Sequence, residues 1–140
     1  MNSLLHQAND LQRQLLVARE RYLALTTEAR QRRLEFLAAS DDFAAARLHQ
    51  VMRQAEITAA QAHVHIGELE TAARHLYCQW LARLRSGDTV LAYIEGGWME
   101  VRVKFVKKSS IKLTNGSSYS NRTGLAWRGR TALRMPALSD

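Results

Sequence analysis

The chain is expected to be an α+β protein, with a long-helix coiled-coil hairpin over residues 1–85 followed by a small antiparallel β-barrel over residues 86–140. Two observations lead there. Six of the seven glycines and the sole proline, Pro136, fall in the second part. Apolar residues recur every three or four positions as far as Trp80, but every second position after Thr89. These are the periods of a helix face and of a strand face.

The first helix is rich in Leu, Ala, Gln, Glu and Arg, all good helix formers. Ser3 is placed to cap its start. One apolar row runs through Leu4, Ala8, Leu11, Leu15, Ala18, Tyr22, Leu25, Ala29 and Phe36. A second row, Leu5, Leu16, Leu23, Leu34 and Leu37, makes the apolar surface broader than a two-stranded seam needs, so a second chain is expected to close the surplus. The pattern loses register at Ser40-Asp41-Asp42, residues that cap helices better than they continue them. A hairpin folding at residues 39–42 is expected, with one continuous helix from Ser3 to Leu84 as the alternative.

The second helix carries the more regular stripe. From Ala45 it continues through Leu48, Met52, Ala55, Ala59, Ala62, Ile66, Leu69, Ala73, Leu76 and Trp80. Its alanines allow close approach, and the ten positions from Leu48 to Trp80 are assigned to self-association as a homodimer or higher homo-oligomer. At 1.5 Å per residue each helix would be about 50–60 Å long.

Short strands follow at Thr89–Glu95, Trp98–Val106, Ser110–Thr114, Ser117–Ser120 and Thr131–Met135. Gly96-Gly97 and Asn115-Gly116 supply two-residue turns. On the second strand Met99, Val101, Val103 and Phe105 should face inward and Trp98, Glu100, Arg102 and Lys104 outward. On the third, Ile111 and Leu113 should be inside, Lys112 outside. Five short strands in about 50 residues suggest a strongly bent barrel of the SH3-like kind.

Charge divides as sharply as structure. Lys+Arg 20 against Asp+Glu 13 gives +7 overall. The first part carries eleven arginines against nine carboxylates, a net +2, and the second nine bases against four acids, a net +5. On the barrel, Arg102, Lys104, Lys107, Lys108, Lys112, Arg122, Arg128, Arg130 and Arg134 interleave with Trp98, Tyr119 and Trp127. Cations neutralise phosphates and flat aromatics stack on unpaired bases, so these residues form the candidate nucleic-acid-binding face. Arg19, Arg21, Arg30, Arg32 and Arg33 alternate with Glu20, Glu28 and Glu35, which reads as a salt-bridged helix surface.

Other chemistry finds no support. His6, His49, His63, His65 and His75 lack the four-residue spacing of a helical zinc pair, and Cys78 has no evident base, so it reads as a packed thiol. No metal, no cofactor and no catalytic residue is expected. The Asn115-Gly116-Ser117 and Asn121-Arg122-Thr123 sequons read as turns. One cysteine allows no internal disulfide, no apolar run approaches the roughly 20 residues of a membrane span, and the N-terminal segment lacks a secretory signal pattern. A cytoplasmic protein with no membrane partner is expected.

The runs VRVKFV at 101–106, SIKLTNG at 110–116 and YSNRTG at 119–124 resemble a β module of small bacteriophage and prophage accessory proteins. The resemblance covers about 40 of the 140 residues. It implies an SH3-like fold, a bacterial host cell and no transferable catalytic site. The expected function is that of a non-enzymatic, self-associating basic protein that binds nucleic acid or a nucleoprotein through its β module. The alternative is a phage-encoded inhibitor of a host defence complex, of the anti-CRISPR type, acting by protein contact. A structural coiled-coil adaptor is a third possibility.

Overall fold

The computed structural model describes residues 2–126 and 131–136. Two helices, α1 (Asn2–Leu37) and α2 (Asp42–Ala82), precede four strands: β1 (Thr89–Ile94), β2 (Gly97–Val106), β3 (Ser110–Leu113) and β4 (Ser118–Ser120). The chain packs as two units, one of residues 11–72 and one of residues 1–10 with 73–140. Among the described residues no helix is long and apolar enough to cross a membrane.

In the unit of residues 11–72 the helix breaks where the pattern loses register. The last turn of α1 closes with Ala38 N–H on the Leu34 carbonyl, and the Asp41 carboxylate accepts from Ala44 N–H at 2.7 Å, capping α2. The chain therefore reverses as a helical hairpin and is not one continuous helix. Contacts across it run antiparallel: Tyr22 against His63, Phe36 against His49, and Arg19 to Glu70 at 3.4 Å. Met52, Ala59, Ile66 and Leu69 are buried there with Leu15 and Ala18, while Leu48, Ala55 and Ala62 are half-buried.

The second unit buries Leu4 from the start of α1 and Leu76, Trp80 and Leu81 from the end of α2 together with Leu84. It also buries Val90, Ala92, Val103, Ile111, Leu113, Tyr119 and Leu133. Trp80, with no exposed surface, is the largest side chain in this core. The α2 stripe is thus covered within the chain itself: Leu76 and Trp80 are buried and Ala73 half-buried in this unit, as the earlier positions are in the other. It is the second row of α1 that stays bare, with Leu16, Leu23, Leu34 and Leu37 all exposed. Ser3 lies inside α1, not before it, and its hydroxyl accepts from the Gln7 amide at 3.3 Å.

The strands form one curled antiparallel sheet in the order β1-β2-β3-β4. The first turn falls one residue earlier than the glycine pair suggested. Ile94 pairs with Gly97, so the turn is Glu95-Gly96, both at positive φ (49° and 86°), as a tight hairpin of two residues requires. At Asn115 only Gly116 has positive φ. Gly116 N–H meets the Leu113 carbonyl, Leu113 N–H meets the Ser117 carbonyl, and Asn115 Oδ1 accepts from Ser117 N–H. This is a three-residue loop with a glycine bulge, not a two-residue turn. The expected last strand is reduced to isolated bridges, Leu125 with Ala132 and Leu91 with Arg134, and a further bridge joins Tyr119 to Ala126.

Candidate nucleic-acid interface

Register decides which side chains share the outer surface of the sheet. Val90 pairs with Val101 and Ala92 with Met99, and the full burial of Val90 and Ala92 marks that side as inner. Thr89–Arg102, Leu91–Glu100 and Tyr93–Trp98 therefore lie outside. Arg134 pairs with Leu91 through two backbone hydrogen bonds of 2.9 Å, which brings it to the same outer side. Its guanidinium carbon sits 3.9 Å from the centre of the Trp98 ring, and Tyr93 meets Trp98 edge-on at 5.4 Å. Cation, indole and phenol thus form one cluster, with Tyr93 45% exposed.

A bulge in β2 changes the expected alternation. Val103 pairs with Leu113, but Phe105 pairs with Lys112 and Val106 with Ile111, leaving Lys104 as the extra residue. Phe105 is consequently on the Lys112 side, opposite to the inward side assigned to it, while Val103 and Leu113 remain buried. The half-buried Phe105 ring is covered by Lys107, whose Nζ lies 5.3 Å from its centre. Met99 has the inward register but is 53% exposed, beyond the edge of the core. Lys104 itself is exposed, and its carbonyl accepts from the Ser86 hydroxyl at 2.7 Å.

A third basic group forms where two loops are stitched together. Asn121 Nδ2 donates to the Lys108 carbonyl at 2.9 Å and to the Lys107 carbonyl at 3.4 Å, and Asn121 N–H donates to the Ser109 carbonyl. This sets exposed Arg122 next to exposed Lys107 and Lys108. Lys112, half-buried on β3, lies between Phe105 and Ser118 across the strands.

The candidate residues thus fall into three classes. Trp98, Arg102, Lys104, Lys107, Lys108, Lys112 and Arg122 lie on the accessible surface of the sheet or its loops. Tyr119 pairs with Ile111 on the inner side and is only 5% exposed, so its ring belongs to the core and cannot stack on a base. Trp127, Arg128 and Arg130 lie outside the described residues. The sequence reading missed Tyr93 and Phe105 as surface aromatics, and it put Arg134 on the same face as Trp98 without foreseeing that the guanidinium lies over the ring. Tyr93 could have been found from the turn alone, because a two-residue turn at Glu95-Gly96 makes it the cross-strand partner of Trp98. One carboxylate, Glu100, is exposed on this same face.

Tyr77 and Gly124 hold the segment that carries Arg134. The Tyr77 hydroxyl donates to the Leu133 carbonyl, and Leu133 N–H donates to the Gly124 carbonyl at 2.9 Å. Burial, with an electrostatic contribution from the adjacent Cys78 adding to it, pushes the Tyr77 phenol up to about 12. Cys78 itself is exposed, not packed. Among the described residues, no group of three or more His, Cys, Asp or Glu side chains is placed to hold a metal ion. Comparison of the chain with protein-family models, curated proteins and solved structures returns no match.

Proposed function

We propose that this chain is a non-enzymatic, self-associating protein that holds single-stranded nucleic acid against the outer face of an SH3-like barrel. The observation that carries the reading is the Tyr93–Trp98–Arg134 cluster on the same face as Arg102, with Phe105, Lys107 and Lys112 further along β2 and β3. At about 3.3 Å per residue, Trp98 and Phe105 are roughly 23 Å apart along the strand, room for several nucleotides between two aromatic stations. Apart from the Glu100 carboxylate, the groups displayed there are cations and aromatic rings, which suit binding. The helices would form a coiled-coil module, and a bacteriophage or prophage protein acting in the host cytoplasm is the proposed setting.

The test is a salt-titrated anisotropy measurement with labelled single-stranded DNA and RNA. Affinity should fall with added salt. The triple variant Arg102→Ala, Lys104→Ala, Lys112→Ala should reduce the log–log slope by about 2, at about 0.7 for each phosphate no longer neutralised. Absence of binding to either polymer at low salt would remove the proposal.

Glu100 favours a second reading. A carboxylate amid the cations repels phosphate yet suits a protein surface of mixed sign, as an inhibitor of the anti-CRISPR type would require. A stoichiometric protein partner that survives nuclease treatment would select this reading over the first.

A further inference from the structure

We infer that the outward face of α1 is the self-association surface, and that it takes the same face of a second copy in antiparallel, two-fold packing. This concerns only the self-association part of the proposed function, and rests on residues of the helical unit that play no part in the sheet. Leu16, Leu23 and Leu34 are 60%, 66% and 67% exposed. At 100° per residue they fall within about 20° of one another around α1. Glu20, Thr27 and Arg30, also exposed, complete a row with the alternating four-and-three spacing of a helix seam.

The row is complementary to its own reverse. When a second α1 is laid antiparallel with the two-fold axis beside Leu25, Leu16 meets Leu34 of the second copy and Leu34 meets its Leu16. Glu20 meets Arg30, Arg30 meets Glu20, and Leu23 meets Thr27 in both directions. The layers are then Leu on Leu, Glu on Arg, or Leu on a Thr whose hydroxyl already donates to the Leu23 carbonyl of its own helix. A parallel arrangement would set Glu20 on Glu20 and Arg30 on Arg30, burying two like-charge pairs. Within the chain, the ion pairs of this helix engage Arg19 and Arg32 with Glu70, Glu28 and Glu35, leaving Glu20 and Arg30 in none of them among the described residues. A two-fold interface needs one patch that complements itself, and this face has that property. The α2 stripe does not, being already covered inside the chain.

The test is sedimentation equilibrium on the full chain carrying Cys78→Ser, which removes the exposed thiol. The parent should sediment as a dimer. Glu20→Arg alone and Arg30→Glu alone should each weaken association by about tenfold or more, since each sets like charges together twice. An equimolar mixture of the two variants should regain dimers, because each Arg then meets a Glu in the other chain. Oxidation of a mixture of Leu23→Cys and Thr27→Cys chains should yield predominantly the mixed disulfide. A monomeric parent, a mixture that fails to recover, or cross-linking chiefly between like chains would each overturn the inference. Nucleic-acid affinity measured on the separated monomeric variants is independent of these outcomes, so failure here and failure of the binding proposal are distinguishable.

Discussion

Replacing Gly124 with alanine should loosen the β unit from inside. Gly124 has φ of 74°, where an L side chain costs about 1–2 kcal/mol. A Cβ there would also overlap the Tyr77 hydroxyl oxygen and come within 3.0 Å of Cζ. The phenol must therefore move off the Leu133 carbonyl, forfeiting a hydrogen bond with a net value of about 1 kcal/mol. Together these give a destabilisation of about 2–3 kcal/mol. The assay is urea unfolding followed by tryptophan fluorescence, since Trp80 and Trp98 belong to this unit. With a urea slope of about 1–3 kcal/mol/M, the midpoint should fall by about 0.7–3 M. Tyr77→Phe alone should cost about 1–2 kcal/mol by leaving the carbonyl without its partner. In the double variant that hydrogen bond is lost only once, so the combined cost should fall short of the sum by about 1 kcal/mol. A Gly124→Ala protein within about 0.5 kcal/mol of the parent, or strictly additive single effects, would refute the reasoning.

Further outcomes follow from other contacts. Asp41→Ala should destabilise the helical unit by about 1 kcal/mol through loss of the cap on Ala44 N–H, read as a lower thermal midpoint by circular dichroism, whereas Asp41→Asn should nearly preserve it. The Tyr77 phenol ionises near 10 when unfolded and at about 12 when folded, so stability held in full below pH 10 should decline as pH rises from 10 to 12. Urea midpoints across that range should show less decline in Tyr77→Phe. Glu100→Gln should tighten binding to single strands and leave folding unchanged, as seen by anisotropy, because it removes the exposed carboxylate from the outer face. Trp98→Ala should cost about 1–3 kcal/mol of that binding.

Much of the helical part was legible because its signal is one-dimensional. The three-four spacing identified which positions of α2 are buried, and the loss of register at Ser40-Asp41-Asp42 marked the reversal. What spacing does not encode is the origin of the covering surface. An apolar stripe is satisfied equally by a helix of its own chain or of another, and Leu48 to Trp80 were assigned to a partner although the chain itself covers them. In the sheet, strand order along the chain was readable and Ile111 and Leu113 face inward as their alternation implies, but on β2 the inward and outward alternation fails past Val103. The alternation in VRVKFV continues unbroken in the letters while the backbone inserts Lys104 as an extra residue. Nothing local announces such a bulge, since it is fixed by pairing with β3. Tyr119 shows the converse: an aromatic flanked by serines suggests display, but its partner Ile111 draws it into the core.

The backbone bridges that continue past β4 limit where an extended partner could join the sheet. Leu91 already exchanges both its amide and its carbonyl with Arg134 on the flank of β1, and the flank of β4 is occupied at Tyr119 by Ala126 and at Ser120 by Leu125. An incoming extended peptide would find those main-chain donors and acceptors spent, so recruitment by strand addition is closed at both positions. The same occupancy removes these positions as templates on which another sheet edge could pair, so aggregation through them is blocked by the chain's own backbone.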